Sequence, residues 1–412
     1  MTGNVSAVHP GVTAWQSSLR HTDQLFEMLD PSALYSRPVP ERHRLIFYLG
    51  HLEAFDWNLL ARRSERRPSF HPTFDKLFEF GIDPEPGCLP QDQATDWPDE
   101  PEVRAYVARI RQELESVLLE APDELVHTAI EHRLMHAETL AYLFHSLPFS
   151  EKHKPAGEAP DPGASVWYGE GREVLVPAGT ATLGRAPGSG FGWDNEFPDI
   201  ELPVPAFAIQ PHKVTNGEYL AFVEGGGAVP HFWNREGGVW FYRGMFEQTP
   251  LPLNHPVYVT HEQASAYAAW KGAALPSEAQ FHRAAYGTPE GIEREYPWGG
   301  APPSPEHGNF DFQRWDPMPV DAHPAGDSAW GVSQLVGNGW EWTSSVFAPF
   351  PGFEPRPYYP GYSANFFDGD HYVMKGGSPR TAAVLLRRSF RNWFRPNYEY
   401  AYATFRCVLR TS

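Results

Sequence analysis

The sequence predicts a multidomain protein in which an N-terminal four-helix bundle is followed by an irregular α+β domain. The chain has 412 residues, more than one hydrophobic core usually supports. Apolar residues recur at helical spacing through residues 1–150, and this spacing becomes scarce in residues 167–412. Residues 151–166 are polar, rich in Pro and Gly and without periodicity, which predicts a linker between the two domains.

The first half contains four segments with helical periodicity. We predict helices over Val12–Leu29, Glu41–Arg63, Glu100–Leu119 and Asp123–Leu147. Four helices of this length form an antiparallel bundle. The excursion between the second and third, residues 64–99, is rich in Pro and acid and is too long for a simple turn. It is therefore either disordered or functional, and we favour a functional role.

The second half has a different pattern. Helical spacing is confined to residues 216–223, 261–271 and 277–286, and the rest consists of short β-prone runs between Gly, Pro and Asn. This predicts an α+β domain in which loops dominate.

Composition excludes several classes of function. The formal net charge of -18 argues against a nucleic-acid or anionic-membrane surface, because both require clustered Lys and Arg. Cys88 and Cys407 are the only cysteines, too few for a disulfide framework or a cysteine zinc site. The sequence shows neither a secretory leader pattern nor an apolar run of about 18 residues. We therefore expect a soluble, cytoplasmic protein that acts on small molecules, and we expect a monomer.

Three histidines predict a metal site. His132 and His136 are four residues apart on the fourth predicted helix and so share one face. His51 lies within LGHLEAFDWNLL on the second helix, an apolar setting that suits a third ligand better than an unpaired imidazole. Glu138 lies roughly 200° around the helix from His136 and is placed to orient a neighbouring group. Such His pairs are also common on exposed helix faces, and three imidazoles suit zinc, iron, nickel or copper equally.

Eight segments of the second half carry a family resemblance. In order they are VPAGTATLG (176–184), VTNGEYLAFV (214–223), NHPVYVTHEQASAYAAW (254–270), LPSEAQFHRAA (275–285), YPWG (296–299), GNGWEWTSS (337–345), KGGS (375–378) and RRSFRNWFRP (387–396). They resemble the formylglycine-generating-enzyme fold, also called the sulfatase-modifying-factor fold, which is C-type-lectin-like. Those enzymes hold copper with a cysteine pair, and Cys407 alone argues against that chemistry here.

The first half resembles a DinB-like bundle, with HRLMHAE at residues 132–138. The two domains together are similar to the ergothioneine-type sulfoxide synthases. The resemblance implies that His51, His132 and His136 bind iron(II). It also implies that the enzyme uses dioxygen to join a sulfur donor to C2 of the imidazole of hercynine, Nα-trimethylhistidine.

The resemblance also implies residues that act on the substrates. The family uses a tyrosine as an acid, and the matching stretch PYYPGYSANFF offers Tyr358, Tyr359 and Tyr362, of which we favour Tyr359. A role of these rings in an aromatic core is the alternative. The hercynine-contact positions match Asn392 and Trp393.

Three further candidates lie beside the family's contact positions. Phe394 stands where sulfur relatives carry Asp, and Met135 stands where they often carry Gln. Glu138 completes the set of substrate-binding candidates.

The donor site departs from that of the sulfur enzymes. Relatives that take γ-glutamylcysteine hold its carboxylates with arginines in the loop after the second helix, but residues 83–103 contain no Arg or Lys. Phe394 also replaces the acid that would meet the donor's ammonium. A zwitterionic peptide donor is therefore disfavoured, unless Arg380, Arg391 or Arg395 restores the clamp.

A neutral, hydroxyl-rich donor fits the loop better. The loop offers polar side chains for a sugar at Asp92, Gln93, Asp96 and Trp97, although these groups would also be expected on any solvated loop. The FEFGIDP loop and the HRLMHAE helix resemble the selenoneine-synthase branch, which uses a selenosugar. The alternatives are a synthase with a sulfur donor, a DinB-type zinc or nickel thiol transferase that needs no dioxygen, and a non-catalytic binding module.

Overall fold

Apolar faces at helical spacing bring five helices together in the first half of the chain. The computed structural model describes residues 10–82, 89–156 and 172–409. The chain divides into two units, Met1–Pro155 and Ala156–Ser412. The helices of the first unit are α1 (Pro10–Glu27), α2 (Leu45–Asp56), α3 (Pro72–Phe80), α4 (Glu100–Val117) and α5 (Asp123–Ser146). Helix α1 packs on α5, and α2 packs on α3, α4 and α5.

The second helix and the excursion after it differ in detail from the prediction. Helix α2 begins at Leu45 rather than Glu41, because Arg44 has an extended backbone with ψ of 155°. After Asp56 the helix widens into a π-helical segment, Trp57–Ser64. The excursion contains α3 and a short 3-10 turn, Ala94–Asp96, so part of it is ordered. Residues 83–88, including Cys88, lie outside the described residues.

A buried lysine caps the C-terminal end of α5. The Lys152 ammonium donates to the carbonyls of Phe144, His145 and Leu147 at 2.6, 3.0 and 3.1 Å, which satisfies carbonyls left open where the helix ends. Lys152 also forms a β-bridge with Leu29 at the end of α1. The first unit therefore continues to Pro155. Most of the predicted linker, residues 157–166, lies outside the described residues.

The second unit is built from short strands in small sheets. Among the described residues these are β1 (Val174–Val176), β2 (Gly179–Leu183), β3 (Ile200–Val204), β4 (Phe207–Ile209), β5 (Trp233–Glu236), β6 (Val239–Arg243), β7 (Gln248–Pro250), β8 (Trp340–Val346), β9 (Tyr372–Lys375), β10 (Asn392–Phe394), β11 (Ala403–Thr404) and β12 (Val408–Leu409). They pair in the orders β1-β4-β12, β2-β3, β5-β6-β7 and β10-β9-β8-β11. In the last sheet β10 runs antiparallel to β9, with Trp393 opposite Val373.

Capping boxes start the three main helices of this unit. Helices α6 (Asn216–Glu224), α7 (His261–Trp270) and α8 (Glu278–Tyr286) follow Thr215, Thr260 and Ser277. Each hydroxyl accepts from the backbone N–H three residues on, and the Glu or Gln there binds back to the cap. A four-residue helix, α9 (Gly361–Ala364), lies in the tyrosine-rich stretch. The predicted fold class, a helical bundle followed by a loop-rich α+β domain, is confirmed.

A fully buried cluster of three charged side chains connects the inner strand β8 to two loop residues. Glu341 on β8 accepts from Arg406 at 2.7 and 2.8 Å and from Lys213 at 2.7 Å. Burial raises the pKa of the Glu341 carboxyl, but the two cations outweigh burial and leave the pKa lowered overall. The carboxylate is therefore ionised and tied to both partners at neutral pH.

Candidate functional site

The three predicted histidines meet inside the helical unit. His51 projects from α2, and His132 and His136 lie one turn apart on α5. One candidate ligand nitrogen from each ring lies within 4.8 Å of the other two. The helical spacing thus brings together the ligand set that the sequence predicts.

The hydrogen bonds of His51 determine which nitrogen faces the cluster. Its Nδ1 lies 2.6 Å from the Phe78 carbonyl, which can only accept, so Nδ1 carries the proton. The unprotonated Nε2 lies 3.2 Å from Nε2 of His136. Nδ1 of His136 is buried without a hydrogen-bond partner. Ring nitrogens that converge in a buried setting fit a shared cation.

Burial keeps the three rings neutral. It lowers the pKa of His51 to about 4 and the pKa values of His132 and His136 well below the usual 6.5. The neighbouring imidazoles add to the shift, because a second positive charge in the cluster is unfavourable. Neutral imidazole is the form that binds a metal, so the residues fit a metal ion.

Aromatic rings fix the orientation of the histidines. The Phe55 ring stacks on His132 with a centroid distance of 3.5 Å, and the Phe47 ring stacks on His51 at 4.7 Å. These contacts restrict ring rotation and exclude water from one side of each imidazole. Sequence reasoning missed both phenylalanines, although each stands four residues from His51 on the same helix face.

A buried charge network joins the two helices that carry the ligands. Arg133, beside His132, donates to Glu53 at 3.1 Å and to Asp56 at 2.8 Å, and all three side chains are at most 1% exposed. Trp15 of α1 donates to Asp56 at 2.8 Å, and Arg111 of α4 donates to Glu53 at 2.6 Å. The network therefore connects α1, α2, α4 and α5 close to the histidines.

Polar side chains of the loop that is predicted to meet the donor pair with each other and with arginines outside the loop. Asp92 accepts from the Trp97 indole at 2.7 Å, from Arg44 at 3.0 Å and from Arg37. Burial raises the pKa of Asp92, but these donors outweigh it and lower the pKa overall. Asp96 accepts from the backbone N–H of Gln93 at 2.7 Å. The expectation that Asp92 and Trp97 offer free polar groups to a sugar is not supported, because these groups bind each other.

Arginines that could form a donor clamp lie in both units and have different environments. Arg37 and Arg44 come from the segment before α2, and both pair with the single carboxylate of Asp92. In the second unit Arg391 binds both oxygens of Glu278 at 3.0 and 3.2 Å. Arg380 is fully buried, with its guanidinium 4.3 Å from the centre of the Tyr402 ring. Arg395 is exposed.

The predicted hercynine residues of the second unit lie on β10. Trp393 is partly buried and stacks on Phe347 with a centroid distance of 4.2 Å. The Asn392 carboxamide accepts from the Trp393 backbone N–H at 2.9 Å. Phe394 stacks on Tyr398 at 4.6 Å. The expected acid position is thus occupied by a ring that packs on a second ring.

One of the candidate tyrosines contacts this group. Tyr362 lies edge-on to Trp393 at 5.4 Å and stacks on Trp193 at 4.0 Å. Tyr359 lies 5.6 Å from Tyr362 and 6.4 Å from Trp193. Tyr358 is partly buried. Trp193, which sequence reasoning missed, therefore connects Tyr359 and Tyr362.

The segment that carries Trp193 also anchors the tyrosines. The Ser363 hydroxyl donates to Asp194 and accepts from the Asn195 carboxamide at 3.0 Å. Ser363 directly follows Tyr362 within α9, so these contacts hold the short helix that carries Tyr362. The FGWDNE sequence at 191–196 was the signal that could have found this partner.

The remaining predicted residues can be placed individually. Met135 and Glu138 are partly buried on α5, next to and two residues beyond His136. Burial raises the pKa of the Cys407 thiol to about 12, so the free thiol stays protonated at neutral pH. No helix among the described residues has the length and apolarity needed to cross a bilayer.

Two families match the two halves of the chain. The "Sulfatase-modifying factor enzyme 1-like domain" matches residues 165–411, and the "DinB superfamily" matches residues 14–146. These spans are similar in extent to the α+β unit and to the helical unit.

Curated relatives match across both units. A protein named "Hercynine oxygenase" from Mycolicibacterium smegmatis is 36% identical over 329 residues, covering 72% of this chain and 74% of that protein. A protein of the same name from Mycolicibacterium thermoresistibile is 33% identical, covering 89% of this chain and 87% of that protein. "Ergothioneine biosynthesis protein 1" from Neurospora crassa is 28% identical, covering 93% of this chain and 55% of that protein.

Proposed function

Because the chain belongs to the ergothioneine-synthase-type family of hercynine oxygenases, and is an oxidoreductase of that type, we propose that it is iron(II)- and dioxygen-dependent. We propose that it joins C2 of the hercynine imidazole to selenium of a selenosugar. The coarser activity, hercynine oxidation with a chalcogen donor, follows from the family. The metal and the donor are the finer proposals argued below.

The observation that carries the proposal is the cluster of three neutral imidazoles. Spacing alone leaves iron, zinc, nickel and copper open. Metal-based dioxygen chemistry needs an ion that changes its redox state, which removes zinc, and the family resemblance favours iron(II) over nickel and copper. Bound iron would supply a site where dioxygen and a soft chalcogen anion are activated together. The three histidines would each donate one ring nitrogen to the ion and would leave its remaining coordination positions open.

The proposed reaction balances without an external reductant. The imidazole loses the hydrogen at C2, and the donor loses the hydrogen on sulfur or selenium. A carbon–chalcogen bond forms, one atom of dioxygen is added to the chalcogen, and the other leaves as water with the two hydrogens. Dioxygen accepts all four electrons, so neither a nicotinamide nor a flavin is needed.

Aromatic faces are proposed to hold the substrate's cation. A trimethylammonium has no hydrogen-bond donor and is bound best by ring faces and oxygens. Trp393 is held in one orientation by Phe347 and Tyr362, and Asn392 stands beside it. Met135 and Glu138, which flank His136 on α5, are proposed as further substrate contacts.

A tyrosine is proposed as the acid that returns a proton during the reaction. Tyr359 is the favoured candidate and Tyr358 the second choice. Tyr362 stacks on Trp193, an arrangement that suits a positioning role as well as an acid role. Replacing each in turn by Phe would identify the acid through the loss of product formation with hercynine binding retained.

The charges of the chain support a sugar donor over a peptide donor. A γ-glutamylcysteine donor carries two carboxylates and one ammonium. Arg37 and Arg44 share the single charge of Asp92, and Arg391 is paired with Glu278. Of the clamp candidates in the second unit, Arg380 is buried against Tyr402 and Arg395 is exposed. Phe394 offers no charge to an ammonium. Leaving such groups unpaired in a closed site costs on the order of several kcal/mol, roughly a thousandfold preference.

Competition between donors tests the proposal. The purified protein would be supplied with hercynine, iron(II), air and equal concentrations of a 1-seleno-sugar, a 1-thio-sugar and γ-glutamylcysteine, and products would be separated by mass spectrometry. We expect the selenosugar adduct to dominate. Comparable kcat/KM for the peptide contradicts the sugar proposal, and product formation without dioxygen contradicts oxygenase chemistry and favours a thiol transferase.

A further inference from the structure

A glycine stands beside a metal-ligand candidate in the middle of a helix. Gly50 precedes His51 within α2, where glycine costs about 1 kcal/mol relative to alanine. A Cβ built on Gly50 would lie 2.4–2.6 Å from three atoms of the Phe78 ring on α3. Glycine at this position is therefore what allows α3 to pack this close to α2.

The Phe78 ring has no space into which it could retreat. It is fully buried and lies 5.3 Å from the Phe74 ring and 5.8 Å from the Tyr106 ring, measured between centroids. The α3 backbone is also tied down, because Tyr106 of α4 donates to Asp75 at 2.7 Å and Asn58 donates to the Asp75 carbonyl at 3.1 Å. Helix α3 is therefore held against both neighbours.

The backbone carbonyl of Phe78 accepts a hydrogen bond from His51. Phe78 lies in the last turn of α3, where carbonyls have no partner within the helix and carry the negative end of the helix dipole. The helix stops at Gly81, whose φ of 77° and N–H bond to the Leu77 carbonyl end it there. The next carbonyl, that of Phe78, accepts the proton of His51 Nδ1 at 2.6 Å.

We propose that α3 is a positioning element of the metal site: the close contact of Phe78 with Gly50 sets the carbonyl that holds His51 in the Nδ1–H tautomer with Nε2 directed at the cluster. Gly50 and Phe78 are positioning residues, since neither touches the metal or a substrate. The inference rests on the proposed metal site and assigns a task to the excursion between α2 and α4.

A double-mutant cycle tests the contact. Gly50→Ala should weaken Co(II) affinity about 10- to 100-fold, as loss of a ligand's hydrogen-bond partner typically does, and should change the visible Co(II) spectrum. Phe78→Ala creates space but keeps the carbonyl. In Gly50→Ala/Phe78→Ala the new methyl occupies part of that space, so affinity and spectrum should recover towards those of the wild type.

Controls separate this contact from general effects. Gly217→Ala in α6 makes the same replacement in a helix of the other unit and should leave Co(II) binding unchanged. His51→Ala should lose the metal. If His51→Ala retains Co(II), the triad itself is wrong, whereas loss in His51→Ala with normal binding in Gly50→Ala overturns only the role of α3.

The wild-type protein provides a test that does not depend on folding of a variant. Selective 15N-histidine labelling distinguishes the two neutral tautomers, and the His51 signal is identified by its absence in His51→Gln. We expect the proton on Nδ1. A proton on Nε2, or affinity losses of Gly50→Ala and Phe78→Ala that simply multiply in the double variant, overturns the proposal.

Discussion

Arg133 offers a sharp test of what holds the two ligand helices together. We predict that Arg133→Met destabilises the helical unit, although methionine is long, apolar and a good helix former. The guanidinium is fully buried and is bound to Glu53 and Asp56, themselves at most 1% exposed. Methionine fills much of the same space but leaves two buried carboxylates with fewer partners.

The size of the effect follows from the partners that remain. Removing one member of a buried ion pair costs about 3–5 kcal/mol. Arg111 still neutralises Glu53, and Trp15 still donates to Asp56, so we expect the lower end, about 3 kcal/mol. Burial already raises the pKa of Asp56, and loss of Arg133 would raise it further. The penalty should therefore shrink as the pH falls below that raised pKa, because protonated Asp56 needs no counter-charge.

Urea denaturation followed by circular dichroism at the helical minimum measures the difference. Arg104→Met is the matched control, since Arg104 lies on α4 in an exposed pair with Glu100 and should change stability by less than about 0.5 kcal/mol. The reasoning is refuted if Arg133→Met is as stable as Arg104→Met at about pH 7.5, or if its deficit grows towards about pH 5.

Three further predictions concern both units. Replacing His51, His132 or His136 by Ala should remove bound iron and product formation while the second unit stays folded. Full iron occupancy in any one of these variants contradicts the proposed three-histidine site. Trp393→Ala should raise the KM for hercynine about tenfold or more through the lost cation–π contact, whereas an unchanged KM places hercynine elsewhere. Glu341→Gln should lower unfolding free energy by about 3 kcal/mol at neutral pH, because Arg406 and Lys213 lose their counter-charge. The wild-type advantage over Glu341→Gln should hold above the usual carboxyl pKa near 4.5 and disappear as pH falls through the lowered pKa of Glu341, which denaturation at several pH values measures.

The three histidines could be singled out because each pattern that marks them lies within one helix. The four-residue spacing of His132 and His136 fixes a shared helix face, and His51 stood out as a polar residue in an apolar helix. The widening of α2 after Asp56 carries no comparable pattern, since a shift to π-helical hydrogen bonds leaves the apolar spacing almost unchanged. Helix α3 was missed because its nine residues lie between prolines and a glycine, which read as loop.

The pairings around the donor loop could not be read from the sequence. Arg37 and Arg44 reach Asp92 across 55 and 48 residues, and no periodicity relates such distant positions. The sequence shows that residues 83–103 contain no Arg or Lys, but it leaves open whether Asp92 faces a donor or solvent. The structure gives Asp92 counter-charges from elsewhere in the chain, as its side chain, 1% exposed, requires.

The lysine at the end of α5 determines where the bundle can be cut for expression on its own. A fragment ending at residue 150 would lack Lys152, leave three carbonyls of the final turn without their donor and lose the bridge to Leu29. The helix that carries His132 and His136 would then fray from its far end. A fragment ending at residue 155 keeps these contacts, so the two truncations, which differ by five residues, should differ in whether the excised bundle holds a metal.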